Sequence, residues 1–268
     1  MAKAEISLQP YSIREYLKTP EQWKDSMRKV REIGYRSVQI GRVAGLTPQE
    51  TKDHLDSLGM ELSTYCGDLF SIRDDIDGFI KECKLFDVDE IMIGTMPAEF
   101  RVDREGYEKA IALMNEVGKQ LSQAGIYLAY HNHAQEFRRW GLNGVRGIDL
   151  LFDELNPDYV HFMLDTHWVQ SGGGDVIEYI KKCKGRMQYI HVKDYRIAPI
   201  NYHTWFGATP KEFAEIGEGN LPWPEIIETC KAQGINIFIV EQDNTYLRNS
   251  FDAVEISFNN LVKYGLKA

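Results

Sequence analysis

Four apolar segments in the second half of the chain each carry, at or next to their last residue, a side chain that can bind a metal ion. These side chains are His131, Asp165, His191 and Glu241, and a polar stretch follows each segment. Imidazole and carboxylate ligands together suit Mn²⁺, Co²⁺, Zn²⁺ or Mg²⁺. A lone histidine or carboxylate at a strand end is more often structural, but four in succession indicate ligands that gather at one place.

The first of these endings is the stretch His131-Asn132-His133, and Glu136 follows within a short turn. Alternate side chains of an extended strand share a face, so His131 and His133 are expected to point the same way. His191 stands between two apolar neighbours, and its ring is expected to face the opposite way from theirs. Each of these histidines is therefore a candidate ligand.

Three further polar residues near the endings are candidates for binding a substrate. Lys193 and Arg196 follow His191 and could neutralise an anionic substrate or intermediate, or form a surface pair with Asp194. His167 comes directly after Asp165 and could offer a hydrogen bond to a sugar.

The elements that must position these residues alternate between strand and helix patterns. Short apolar runs predict strands at residues 5–9, 37–41, 61–65, 90–94, 126–131, 160–165, 187–192 and 235–241. Helical patterns lie between them, with capping signals at Thr19, Thr47 and Asp103. Eight such units without a linker predict one domain, residues 1–268, folded as a single α/β (β/α)8 TIM barrel. In such barrels the loops after the strands carry the site.

The stretch 194–222 is longer than a normal connection between a strand and a helix, so we expect a functional loop or lid there. Three aromatic residues in it are candidates for lining a pocket: Tyr202, Trp205 and Phe206.

Composition and charge exclude several classes of function. The net charge of −9, without a long basic block, argues against nucleic-acid binding. An apolar run near twenty residues is absent from the sequence, which argues against a membrane span. The first residues lack the apolar core of a secretory signal, and the four cysteines form no CxxC pair. We therefore expect a cytoplasmic protein with reduced thiols.

The same residues resemble those of a known family. The matching motifs are Tyr130-His-Asn-His-Ala-Gln-Glu-Phe137, Leu164-Asp-Thr-His-Trp168, Tyr189-Ile-His-Val-Lys-Asp-Tyr195, Ile216-Gly-Glu-Gly-Asn-Leu-Pro-Trp223 and Val240-Glu-Gln-Asp243. They are similar to the xylose isomerase-like TIM-barrel superfamily, and within it to the branch called sugar phosphate isomerase/epimerase. The resemblance covers nearly the whole chain.

The resemblance implies one divalent metal ion, with Mn²⁺ as the first choice, held between two Glu, an Asp and a His. Asp165, His191 and Glu241 match three of these ligands. The first Glu, which the ketohexose epimerases have at the strand end, is replaced here by His131, so either His131 binds the metal or Glu136 reaches back to it. The acid–base pair would then be His131 or His133 together with Glu241.

The function that the resemblance implies is a metal-dependent isomerase or epimerase of a keto sugar or related polyol, acting by proton transfer through an enediolate. The alternative is a dehydratase or lyase that uses the same site on an inosose or a 3-keto sugar or glycoside. A nuclease and a metal-free binding module are weaker alternatives, because the charge is wrong for the first and the ligands are intact against the second. The expected partners are a small sugar substrate and, by resemblance, further copies of the chain.

Overall fold

The short apolar runs form strands at all the predicted places in the computed structural model, which describes residues 4–141, 144–198 and 210–268. The strands are β1 (Ile6–Leu8), β2 (Ser37–Ile40), β3 (Glu61–Gly67), β4 (Glu90–Ile93), β5 (Tyr127–His131), β6 (Val160–Met163), β7 (Tyr189–Val192), β8 (Asp194–Ile197), β9 (Lys211–Ala214) and β10 (Ile237–Val240).

Ten α-helices cover the strands along the described part of the chain. They are α1 (Pro20–Ile33), α2 (Pro48–Ser57), α3 (Leu69–Asp74), α4 (Ile76–Phe86), α5 (Arg104–Ser122), α6 (Gly147–Glu154), α7 (Thr166–Ser171), α8 (Val176–Lys182), α9 (Trp223–Ala232) and α10 (Ser250–Lys263). The predicted caps are present: the side chains of Thr19, Thr47 and Asp103 accept from backbone N–H groups of α1, α2 and α5. Each cap satisfies a donor that the first helical turn leaves unpaired.

Eight strands pair side by side in the order β6-β5-β4-β3-β2-β1-β10-β7, and every neighbouring pair is parallel. The two ends of this sheet meet at a parallel bridge between Asp165 and His191, where the His191 N–H donates to the Leu164 carbonyl at 2.8 Å. The predicted (β/α)8 barrel is thus confirmed, and its closing seam lies at two of the candidate ligands.

Two apolar layers hold this architecture. A large core fills the space between the strands and the helices. A smaller cluster inside the barrel consists of Met92, Ala129, Met163, Tyr189 and Ile239. Because it fills the barrel interior, it forms a closed apolar floor beneath the strand ends.

The stretch predicted as a long functional loop begins and ends as a hairpin. β8 and β9 pair antiparallel, with Asp194 opposite Ala214 and Arg196 opposite Glu212. The three aromatic residues proposed to line a pocket, Tyr202, Trp205 and Phe206, lie outside the described residues. Among the helices that the structure describes, none is long and apolar enough to cross a membrane.

Candidate metal centre

Four side chains at the carboxyl ends of four barrel strands meet in one cluster. One ligand atom each of His131, Asp165, His191 and Glu241 lies within 4.8 Å of the others. Asp165 is fully buried, His191 and His131 are nearly so, and the Glu241 side chain is 11% exposed. The strand endings noted in the sequence therefore gather at one rim, as the barrel geometry predicts.

Asp165 divides its two carboxylate oxygens between a helix and the cluster. Oδ1 accepts the Trp168 N–H at 2.9 Å and so caps α7. Oδ2 is buried without a well-oriented hydrogen bond, and lies 4.0 Å from Nε2 of His131. Capping fixes the carboxylate in one orientation and leaves the second oxygen directed at the cluster.

Lys193 lies behind the carboxylates rather than in front of them. Its Nζ is 3.1 Å from Asp165 Oδ2, 3.0 Å from Glu241 Oε2 and 3.0 Å from Asp243 Oδ2, and the side chain is only 1% exposed. The three carboxylates exceed the single ammonium by two negative charges. A divalent cation would balance that excess, which matters because unbalanced buried charge is costly.

A chain of hydrogen bonds fixes the tautomer of His191. The Tyr11 backbone N–H can only donate, and it donates to Gln9 Oε1 at 3.2 Å, so the Gln9 amide nitrogen faces Gln39 Oε1 at 2.8 Å. Gln39 Oε1 also accepts from Nε2 of His191 at 2.7 Å. Gln39 in turn donates to the Thr64 hydroxyl. Nε2 of His191 therefore carries a proton, and its Nδ1 is left to act as a ligand.

The free nitrogen of His191 faces a carboxylate oxygen. His191 Nδ1 lies 2.8 Å from Glu241 Oε2. Burial raises the pKa of Glu241, but Lys193 and His191 lower it more, so the pKa is well below its usual range. Two lone pairs at that distance need a proton or a cation between them. Together with the unpaired Asp165 oxygen, this arrangement fits a divalent metal ion, whose bonds of about 2.0–2.2 Å can bridge such ligands after small adjustments.

His131 and His133 form the wall beside the cluster. Their rings stand edge to face with centroids 5.0 Å apart, and the rings of His131 and His191 are 4.4 Å apart. Burial lowers the pKa of His131 well below its ordinary value, and the neighbouring His191 lowers it further. Burial and Lys193 lower the pKa of His133 to about 4. Both imidazoles are thus neutral near pH 7, the state in which a histidine can be a ligand or accept a proton.

A cavity of about 970 Å³ opens above the cluster. His131, His133, His191 and Glu241 line it, together with Trp168. The volume lies in the range of small-molecule sites.

Glu136 corrects one expectation from the sequence. Its carboxylate accepts from the Tyr130 hydroxyl at 2.8 Å, the His133 N–H at 2.7 Å and the Gln135 amide at 3.2 Å. Tyr130 belongs to the outer core, on the opposite face of β5 from Ala129 and His131. Glu136 therefore does not join the cluster or line the cavity, and His131 takes the fourth place.

Two residues expected to bind substrate also lie elsewhere. His167 contacts the Ser171 hydroxyl at 3.1 Å through Nε2, and its ring packs 4.7 Å from that of Phe213. Arg196 pairs with Glu212 across the hairpin at 3.2 Å. Neither residue lines the cavity. Lys193 is near the cluster as expected, but it contacts the carboxylates from behind.

Three residues of the site were not anticipated from the sequence. Gln39 is a polar residue in an otherwise apolar strand, which is a weak signal that its side chain faces the site. Asp243 follows Glu241 by two residues and pairs with the same lysine. Arg101 lines the cavity from a loop, and no pattern in the sequence marks it.

Comparison with known proteins gives a consistent result. The sequence pattern described as xylose isomerase-like TIM barrel matches residues 27–259. An inosose dehydratase of Geobacillus kaustophilus is 28% identical over 193 residues, which are 63% of this chain and 61% of that protein. The chain thus spans less than two thirds of the length of this curated relative.

Solved structures share the fold at low sequence identity. A sugar phosphate isomerase/epimerase from Parabacteroides distasonis superposes with a TM-score of 0.78 at 20% identity, covering 97% of this chain and 98% of that one. The IOLI protein with a bound zinc atom superposes with a TM-score of 0.71 at 14% identity, covering 97% of both chains. At these identities the likeness shows the fold alone.

Proposed function

Because the chain belongs to the xylose isomerase-like TIM barrel family, we propose that it is a divalent-metal-dependent lyase that removes water from a keto polyol of the inosose type. The dehydratase name of the curated relative supports elimination, and the 61% coverage of that relative leaves the substrate as part of the proposal.

The metal rests on one observation, the lone pairs of His191 Nδ1 and Glu241 Oε2 that face each other at 2.8 Å. His131 and Asp165 complete a set of four ligands, and we place Mn²⁺ first, with Zn²⁺ as the alternative that the IOLI structure suggests. When bound, such an ion supplies Lewis-acid polarisation of a keto oxygen, which acidifies the neighbouring C–H.

His133 is the residue placed to move the proton. It lines the cavity beside His131, and its buried Nδ1 has no hydrogen-bond partner among the described residues. A neutral imidazole there can take the proton next to the keto group. The same imidazole, once protonated, can return the proton to the departing hydroxyl group on the same face of the substrate.

Elimination is favoured because Glu241 is already engaged. Epimerisation needs proton exchange on both faces of one carbon, and Glu241 would have to act opposite His133. Its Oε2 is held by His191 and by Lys193 at 2.8 and 3.0 Å. A carboxylate with a strongly lowered pKa is a poor base and a poor acid at neutral pH.

An isomerase or epimerase is the second candidate. Glu241 does line the cavity, and the superposed structure from Parabacteroides distasonis carries that name. A two-sided mechanism with His133 and Glu241 on opposite faces would use the same ligands, so the two candidates differ in the fate of the proton alone.

The test is to incubate the metal-loaded protein with a panel of inososes and ketoses in D₂O and to follow substrate mass and C–H signals. Loss of one water supports the lyase, whereas deuterium uptake without loss of water supports the epimerase. A folded protein that has taken up a divalent metal but gives neither result contradicts both candidates.

A pair of histidine variants sharpens this test. His133→Ala should slow proton abstraction by about 10²–10⁴-fold, the usual contribution of a general base. His167→Ala is the matched control, because His167 is buried close by and does not line the cavity. Equal losses in the two variants would argue against the role of His133.

A further inference from the structure

Three arginines line the cavity, and two of them are already committed to other groups. The three are Arg14, Arg42 and Arg101. Arg42 contacts carboxylate oxygens of Glu82 at 2.9 Å and Asp75 at 2.6 Å, so its charge is balanced within the protein.

Arg14 serves as a tie between two loops. Its guanidinium donates to the backbone carbonyls of Tyr11 at 2.9 Å and Asp243 at 2.7 Å, and it lies 4.3 Å from the centre of the Tyr11 ring. These contacts use two of its nitrogens and hold the loop that carries Asp243 next to Lys193.

Arg101 differs from both. It is partly buried, and its one side-chain hydrogen bond among the described residues goes to the neutral Oε1 of Gln135 at 3.3 Å. No ion pair in residues 4–141, 144–198 and 210–268 includes Arg101. It lies near His133, because its charge helps to lower the pKa of that imidazole.

Building on the proposed function, we propose that Arg101 binds a carboxylate group of the substrate, so that the substrate class is a keto polyol acid rather than a neutral keto polyol. The planar guanidinium matches a carboxylate through two parallel hydrogen bonds. Thr95, Gln135 and His133 line the same part of the cavity and can hydrogen-bond the neighbouring hydroxyl groups.

The charges on this side of the cavity suit a carboxylate better than a phosphate. Arg101 alone offers an unbalanced positive charge there, since Arg42 is paired and Arg14 is bound to two carbonyl groups. One monoanion balances one guanidinium, whereas a phosphate carries up to about two charges at neutral pH and usually meets further donors. The metal cluster itself needs no anion to become neutral, because a divalent ion already balances it.

The test compares binding of matched compounds to the metal-loaded protein by calorimetry or ligand-observed NMR. The pairs are D-glucuronate with D-glucose and quinate with myo-inositol, and D-glucose 6-phosphate is the phosphate probe. At least one carboxylate should bind about tenfold or more tightly than its neutral partner, the usual gain from a charged hydrogen bond. Absence of any such preference, or tighter binding of the phosphate than of glucuronate, would overturn the proposal.

Variants locate the effect. Arg101→Gln should abolish the preference for the carboxylate, and Arg101→Lys should keep part of it. Arg138→Gln is the matched control, because Arg138 is exposed, reaches the Val102 carbonyl at 3.5 Å and does not line the cavity. A preference that survives in Arg101→Gln, or that is lost in Arg14→Gln alone, would assign the subsite elsewhere and overturn the proposal.

This binding test is independent of turnover, so its failure is distinguishable from failure of the proposed function. A protein that prefers carboxylates through Arg101 but takes up no metal contradicts the proposed lyase and leaves the subsite standing. A protein that dehydrates neutral inososes without any preference for carboxylates supports the lyase and removes the role of Arg101.

Discussion

Replacing Gln39 by leucine should weaken metal binding without unfolding the barrel. Gln39 is fully buried, and its Oε1 is the acceptor for the Nε2 proton of His191 at 2.7 Å. Leucine has a similar size but cannot accept that proton. His191 must then either keep an unpaired buried N–H or move the proton to Nδ1, which is the nitrogen that the metal needs.

The expected magnitude follows from the cost of an unpaired buried donor, which is about 1–3 kcal/mol. Since about 1.4 kcal/mol corresponds to a tenfold change in Kd, metal affinity should fall by roughly 5- to 150-fold. Outer partners of metal ligands typically contribute about 10–100-fold, which is consistent. Gln39 also donates to the Thr64 hydroxyl, so some loss of stability is expected as well.

The measurement is a competition titration of Mn²⁺ or Zn²⁺ against a chromophoric chelator, with circular dichroism as the check on folding. Gln9→Leu is the matched control, because Gln9 shares the Oε1 acceptor of Gln39 but does not contact His191. It should change the affinity by less than about threefold, as expected for a partly exposed neutral hydrogen bond. A folded Gln39→Leu protein with wild-type metal affinity would refute the tautomer argument.

Three other changes should alter stability in predictable directions. Lys193→Met leaves its carboxylates unpaired and should lower the free energy of unfolding of the metal-free protein by about 3–5 kcal/mol, measured by urea denaturation; adding a divalent metal should restore part of it, and no recovery would contradict the charge balance. Asp194→Ala leaves four backbone N–H groups and the Trp223 Nε1–H without their acceptor and should cost about 2–4 kcal/mol; an unchanged melting temperature would contradict this. Burial raises the pKa of Glu90, although His161 opposes the shift, so the stability of the protonated form is complete below the ordinary glutamate pKa and is lost as the pH rises through the raised value. Glu90→Gln should therefore gain stability relative to the wild type with increasing pH in urea denaturation, whereas a difference that is constant with pH would argue against it.

The barrel and three of its ligands could be predicted because both depend on local patterns. Short apolar runs and capping residues identify the strands and helices, and strand ends converge by topology. Asp165, His191 and Glu241 sit at or beside strand ends, where the alternation of side chains determines which face they occupy. His191, for example, points into the barrel, whereas its neighbours Ile190 and Val192 belong to the outer core.

The remaining residues depend on geometry that the sequence does not encode locally. Glu136 follows a short turn, and the direction of its carboxylate is set by the Tyr130 hydroxyl on the outer face of β5. Arg196 finds Glu212 through the register of a hairpin whose strands are fourteen residues apart at that pair or more. Gln39 acquires its role from His191, which is distant in the chain. Such contacts follow from tertiary packing, so residue type and spacing could not predict them.

The hairpin after β7 has a consequence for how proteins of this architecture change their substrates. Asp194 and Ala214 are paired in the ladder, so the segment between them leaves and re-enters the barrel at a single position. Insertions or deletions at its far end alter the loop-closure entropy only slowly with length. Asp194 anchors that position directly after the metal-cluster lysine, independently of what the segment contains. Selection could therefore lengthen, shorten or exchange the segment while the ligands stay in place, which would make it a natural unit of divergence.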